Sequence, residues 1–134
     1  MRRVRVRDTK PELIVRRMLH GLGFRFTING VSNRNLPGRP DIVLPRLRTV
    51  VFVHGCFWHR HLRCRLTTTP SNRAEFWKAK FEANVKRDRD QRRRLRAQGW
   101  RVVTIWECET RRLPALQRKL SRMLSTLGAR GSVE

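Results

Sequence analysis

Apolar positions along this chain follow two rhythms, and the switches between them mark its elements. Leu13, Ile14, Val15, Met18, Leu19 and Leu22 fall at helical spacing. Thr9-Lys10-Pro11-Glu12 ahead of them reads as the helix start: Thr9 caps, Glu12 three residues later completes a capping box, and Pro11 suits the first turn. Gly21 and Gly23 end it. Phe24 to Ile28 predicts a short strand, and Asn29 to Gly38 a loop with Gly, Asn and Pro. Two strands follow, Asp41 to Leu44 and Thr49 to Val53, joined by a turn around Pro45. The second, Thr-Val-Val-Phe-Val, is β-branched or aromatic throughout, as a strand buried on both faces would be. Residues 54–72 carry no period. Arg73 to Gln98 predicts a long helix stopped by Gly99. Trp100 to Trp106 is another apolar strand. Pro114 to Leu127 is a last helix, with Leu116, Leu120, Met123, Leu124 and Leu127 on one stripe and Gly128 closing it. The order α-β-β-β-α-β-α predicts an α/β fold, a mixed central β-sheet flanked by helices.

Composition narrows this picture. The chain has 134 residues and 39% apolar positions, which predicts one domain over residues 1–134 with a real core. No repeat, low-complexity segment or linker divides it. The net charge is +22, from 32 Lys and Arg against 10 Asp and Glu. Such an imbalance repels itself in the compact state, so an anionic partner is expected, and nucleic acid comes first. A membrane surface fits less well, because no basic helix carries a broad apolar face. No apolar run reaches the roughly 18 residues of a membrane span. The basic start MRRVRVRDTK has no apolar segment behind it, so no signal peptide is expected and the predicted location is the cytoplasm.

Three cysteines cannot close a disulfide framework among themselves, and cysteines clustered with histidines in a reducing compartment point to metal. Cys56, His61 and Cys64 are spaced Cys-x4-His-x2-Cys, and Cys108 follows the last strand. Three thiolates and one imidazole form a closed structural zinc set. On spacing alone His59 could serve in place of His61.

A second constellation surrounds Asp41, the one acid between Glu12 and Glu75. Its bland reading is a turn-capping or salt-bridged residue among Arg39, Arg46 and Arg48. On a strongly basic surface it could instead hold Mg2+ beside a phosphate. His54 ends the neighbouring strand and His59 follows in the loop; either could move a proton near neutral pH. Glu12 is explained by its cap, yet could reach a metal-bound water if the helix start faces the sheet end. Asp88 stands on the long helix in register with Trp77, Phe81 and Val85, on the apolar face, with a salt bridge to Arg92 as its plain alternative. Phe57 and Trp58 lie in the proposed metal loop, and Trp77 opens the long helix. Large rings so placed can wedge between base steps, whereas Trp100 and Trp106 read as core. Lys86 to Arg96 holds seven basic residues and two acids, a solvated helix face suited to phosphates.

The stretches DTKPEL, LPGRPDIV, FVHGCFWH, the EFW–NV–RD pattern from Glu75 to Asp88, and GWRVVTIWEC together resemble the very short patch repair endonucleases, the DNA mismatch nickases of bacteria. The resemblance spans Asp8 to Cys108. It implies a restriction-endonuclease-like fold with a structural zinc, and a Mg2+-dependent nick 5′ to the thymine of a T:G mismatch left by deamination of 5-methylcytosine. By matched position, Asp41 is the metal-binding acid, with the backbone carbonyl of Val53 as a further contact. His59 is the catalytic histidine, His54 a second active-site histidine, and Glu12 and Asp88 hold metal-bound water. Cys56, His61, Cys64 and Cys108 match the zinc ligands, and Phe57, Trp58 and Trp77 the intercalating aromatics. The partner implied is double-stranded DNA with a T:G mismatch, bound by a monomer associated with the bacterial nucleoid and aided by mismatch-repair proteins. The chain departs from restriction enzymes in lacking their acid and lysine on the second strand, where Val51 and Val53 stand. The HRHLRC loop is one residue longer than the family pattern, and the segment before Asp8 is short. A zinc-stabilised DNA-binding module without catalysis, and a related nuclease of other mismatch specificity, are the competing readings.

Overall fold

The computed structural model describes residues 10–133, with side chains as far as residue 124. The expected Thr9 cap therefore lies outside the described residues. Helix α1 is Pro11–Gly21, entered from an extended Lys10 with Pro11 in the first turn. It is followed by α2 (Val31–Asn35), β1 (Ile42–Leu44), β2 (Thr49–His54), α3 (Ala74–Ala97), β3 (Arg101–Trp106) and α4 (Leu113–Val133). Short 3-10 turns occupy Pro45–Leu47 and Glu107–Arg111.

The sheet has the order β1-β2-β3. β1 runs antiparallel to β2, with Ile42 opposite Val51. β2 runs parallel to β3, with Val51 opposite Val103. A parallel neighbour needs a long crossover, and α3 supplies it. Side chains on a strand alternate between faces, and β2 uses both. Val51 packs with Ile42, Leu44, Val103 and Ile105 against Val15 and Leu19 of α1 and Leu116, Leu120 and Leu124 of α4. Val50 and Phe52 pack on the other face with Val43 and with Leu95 of α3. The uninterrupted apolar run of β2 is thus a strand covered by helices on both sides, as its composition predicts.

Three expectations need correction. Phe24 to Ile28 is not a strand: among the described residues it makes one antiparallel bridge, Thr27 to Val43. Its apolar side chains, Phe24, Phe26 and Ile28, are partly buried against the core without a ladder. Beside that bridge Asn33 ties the segment to the chain before β1: its Nδ2 donates to the carbonyls of Thr27 (3.0 Å) and Pro40 (3.1 Å) and its Oδ1 accepts from Thr27 Oγ1 (2.6 Å). The same Oδ1 accepts the Gly30 N–H at 3.1 Å, and α2 forms where a loop was expected. Finally, α4 runs through Gly128 and Gly131 to Val133; a helical glycine costs only about 1 kcal/mol, so neither has to end the helix.

Two glycines meet backbone demands. Gly99 (φ +92°) turns the chain from α3 into β3, and Arg48 closes that corner by donating to the Gln98 carbonyl at 3.1 Å. Gly38 (φ +79°) lies so close to β2 and α3 that a Cβ there would stand 3.0 Å from Phe52 Cζ and 2.8 Å from Gln91 Oε1. This close approach seats the segment that delivers Asp41 to the end of β2.

Candidate active site and metal centre

The alternation that puts Val50 and Phe52 on the α3 side of β2 puts His54 there too. Beyond His54 the chain turns back on itself, with the His59 N–H donating to the Gly55 carbonyl and the His61 N–H to the Cys56 carbonyl, both at 3.1 Å. Three consecutive loop residues then meet successive positions along α3. The Phe57 ring stands edge-on to Phe81 at 5.1 Å. The Trp58 carbonyl accepts from Asn84 Nδ2 at 3.2 Å. His59 Nδ1 lies 2.6 Å from Asp88 Oδ2. Phe81, Asn84 and Asp88 are the buried stripe of this part of α3. Asn84, not Val85, completes the register expected with Asp88, because the inner face has to satisfy a loop carbonyl.

The Asp88 partner is His59 rather than Arg92. Burial works to raise the Asp88 pKa, but the hydrogen bond and charge of His59, with His54 and Arg87, outweigh it and hold the carboxyl below its ordinary value. An ionised carboxylate only accepts, so His59 Nδ1 carries a hydrogen, and in the neutral form of the ring the lone pair lies on Nε2. His54 stacks on His59 with ring centroids 3.8 Å apart and 4° between planes. It is 7% exposed, and its Nδ1 has no hydrogen-bond partner. Burial, followed by the neighbouring His59, pushes its pKa down to about 4, so the inner ring is neutral at physiological pH.

Asp41 enters from just before β1. Its Oδ2 accepts the Val53 backbone N–H at 2.7 Å, which sets the carboxylate against the second-last peptide of β2. Burial raises its pKa, the Val53 bond opposes that, and the charge of Glu12 raises it further. His59 acts in the opposite sense, so the acid pair and the histidine pair lie within electrostatic reach of each other. Glu12 also pairs with Arg16, at 3.7 Å on α1. A carboxylate whose ionisation is opposed by burial and by a second acid is a surrounding in which a cation is favourable.

On the other side of the loop, Cys56, His61, Cys64 and Cys108 bring their ligand atoms within 4.8 Å of one another, a set able to hold a metal ion. His61 Nδ1 lies 3.6 Å from Cys56 Sγ and 3.5 Å from Cys108 Sγ, whereas His59 is turned to Asp88. Cys108 stands in the 3-10 turn beyond β3. Without metal the thiols are unequal: burial pushes Cys56 up to about 12, while the Leu66 backbone N–H draws Cys64 down to about 6. His54, His59 and Asp88 form a second group with ligand atoms this close.

Trp106 is a residue whose place the sequence did not signal. It is half-buried rather than fully core, and its ring stacks on His61 at 4.2 Å and meets His54 edge-on at 5.5 Å. One side chain thus touches both groups. The expected wedge residues do come together: Phe57 and Trp58 lie 5.0 Å apart, and Trp58 and Trp77 5.9 Å. Trp58 is 46% exposed.

Residues 1–65 match the family model described as DNA mismatch endonuclease Vsr. The chain is 46% identical over 124 residues to the type II nicking enzyme V.XorIIP of Xanthomonas oryzae pv. oryzae, across 92% of this chain and 88% of that one. It is 46% identical over 111 residues to the DNA mismatch endonuclease Vsr of Escherichia coli, across 83% and 69% of the two chains. It is 36% identical over 124 residues to the type II nicking enzyme V.NmeAIP of Neisseria meningitidis, across 92% and 86%.

Proposed function

The chain belongs to the Vsr family of DNA mismatch endonucleases and is a DNA endonuclease of the nicking kind, and from that premise we propose that it nicks DNA 5′ to the thymine of a T:G mismatch. The reading extends to repair of deaminated 5-methylcytosine, by a single-domain, restriction-endonuclease-like monomer in the bacterial cytoplasm. The observation that carries it is the meeting at one end of β2 of an acid pair, a histidine pair with its own carboxylate, and a partly exposed aromatic cluster.

Asp41, with the Val53 carbonyl, is the group that would hold Mg2+, and Glu12 would hold a metal-bound water; the raised Asp41 pKa beside a second carboxylate fits a cation site. Bound there, Mg2+ would polarise the phosphoryl oxygens and stabilise the leaving oxygen. The proton work falls to the chain itself. Asp88 fixes the His59 ring through Nδ1 and leaves Nε2 to take the proton of the attacking water. Asp88 is thereby a partner of the base rather than a holder of metal-bound water. His54 stacks against His59 as a neutral ring, adding no second positive charge to oppose protonation of its neighbour. Cys56, His61, Cys64 and Cys108 have the donor chemistry of structural zinc, with no position left for water. That ion would hold still the loop that carries His59, Phe57 and Trp58. Phe57, Trp58 and Trp77 enter the base stack at the mismatch and open it. The arginine-rich outer face of α3 meets phosphate.

The test is nicking of duplexes that carry each mismatch in varied flanking sequence, with Mg2+ and with EDTA. A Mg2+-dependent nick beside T:G, lost in Asp41→Ala and His59→Ala while duplex binding persists, is the expected result. No nick above the EDTA level on T:G, with a nick on another mismatch, would replace the specificity and leave the endonuclease.

A further inference from the structure

Most of the described basic residues are exposed, whereas Arg60 is half-buried. It stands between His59 and His61, and its side chain turns to Phe57, Phe81 and the limb at Thr68 and Thr69. Its guanidinium turns inward, with Cζ 3.9 Å from the centre of the Phe81 ring and 5.7 Å from that of Phe57. Nη1 donates to the Phe57 carbonyl at 3.2 Å and to the Thr68 carbonyl at 2.8 Å, and Nη2 donates to Thr69 Oγ1 at 2.7 Å. One planar cation therefore joins three segments: the turn that carries Phe57, the returning limb at residues 68–69, and α3. The backbone supports this at a cost, since Arg60 has φ +53°, a conformation that side chains other than glycine and asparagine rarely adopt.

We infer that Arg60 is a positioning residue that fixes the Phe57–Trp58 aromatic edge on α3 and so sets how firmly the protein grips a distorted duplex. The inference rests on the reading of those aromatics as a wedge. The other ties on the loop act elsewhere: Asp88 holds His59, Asn84 holds the Trp58 carbonyl, and the Cys and His set holds residues 56, 61, 64 and 108. Arg60 alone among these reaches the Phe57 carbonyl and the limb at Thr68. An arginine suits the task because its flat fork can stack and donate in several directions at once, which a lysine ammonium cannot. A wedge entering a base stack is pushed back by the stack, so a loosened support shows in binding more than in the chemistry that follows.

The experiment uses the full chain and a T:G duplex with 2-aminopurine beside the mismatch, whose fluorescence rises when the base is unstacked. Arg60→Gly removes the guanidinium and relieves the backbone, so a loss cannot be blamed on φ. In Arg60→Gly the half-saturating protein concentration for the fluorescence rise and for nicking is expected to increase about tenfold, with the saturated nicking rate changing far less. Arg60→Lys should fall between the two. Bound metal per chain, measured by elemental analysis, should stay at the wild-type level. Wild-type half-saturation and fluorescence in Arg60→Gly would overturn the inference, as would loss of bound metal or an equal fall in saturated rate. Trp58→Ala separates the layers. If it leaves the fluorescence rise intact, the wedge reading falls and this inference with it. If it abolishes the rise while Arg60→Gly does not, the inference alone falls.

Discussion

Removing the negative charge of Asp88 without changing its shape tests the heart of the site. The carboxylate is 8% exposed and 2.6 Å from His59 Nδ1. Asn at this position can still accept through Oδ1, so the ring stays in place and the hydrogen stays on Nδ1. What is lost is charge assistance: a hydrogen bond to a charged group contributes about 1.5–3 kcal/mol and a neutral one about 0.5–1.5, a difference near 1–1.5 kcal/mol. A difference of about 1.4 kcal/mol is tenfold in rate, so Asp88→Asn should nick roughly tenfold more slowly. Asp88→Ala goes further, because Nδ1–H is left without its partner and the ring can turn. Losing an outer carboxylate that orients an imidazole costs on the order of 10- to 100-fold, and the upper end is expected here. The assay is single-turnover nicking of a T:G duplex with protein in saturating excess, with anisotropy measuring affinity separately. Affinity should be nearly unchanged in both variants. Wild-type rates in Asp88→Asn and Asp88→Ala, beside an inactive His59→Ala, would refute the orienting role. An Asp88→Asn variant as slow as His59→Ala would refute the division between shape and charge.

Other outcomes follow from the same geometry. Asp41→Asn should abolish nicking yet stabilise the metal-free fold at neutral pH. The raised carboxyl pKa means that the charged form opposes folding above it, so the gain in urea midpoint should shrink as pH falls toward the ordinary Asp value near 3.8. His54 acts with the opposite sign. Its folded pKa of about 4 lies below the 6.5 of a free imidazole, so stability is full above pH 6.5 and falls toward pH 4. At its steepest the fall is about 1.4 kcal/mol per pH unit, and urea melts of wild type and His54→Gln across that window should diverge accordingly. Elemental analysis of protein purified without chelator should give one zinc per chain, and less than half of that would sink the four-ligand site. Cys108→Ala should lose the metal and lower the melting temperature, with nicking falling because the loop is released. Leu120→Ala, at a fully buried position of α4, should cost about 2–5 kcal/mol in urea unfolding with little change in the nicking rate of the folded fraction.

Much of this protein is legible before it folds. Residues 49–53 declare a strand covered on both faces because every side chain there is β-branched or aromatic, and burial on each face is what such a run requires. The long period from Arg73 and the stop at Gly99 locate α3 to within a residue or two, since a helix is written in local spacing. The local Cys-x4-His-x2-Cys spacing marks three members of the group that closes in the fold, and Asp41, the one acid between Glu12 and Glu75, marks the carboxylate that reaches the end of β2.

The pairing of those parts was a different matter. Spacing left His59 and His61 equally eligible as metal ligands, and family resemblance chose between them; in the fold, His61 Nδ1 faces two thiols while His59 turns to a carboxylate 29 positions away in the chain. Periodicity placed Asp88 on an inner face but could not say that His59 would meet it, nor that Asn84 would replace Val85 to satisfy the Trp58 carbonyl. The strand expected at residues 24–28 is reduced to the Thr27–Val43 bridge, beside which the Asn33 amide donates to the Thr27 and Pro40 carbonyls, a contact no local pattern announces. Local order follows from neighbours in sequence, and the sequence alone determined it here. The site depends on which polar groups remain unsatisfied once both faces of β2 are covered, and only the packed tertiary structure decides which distant side chain reaches them.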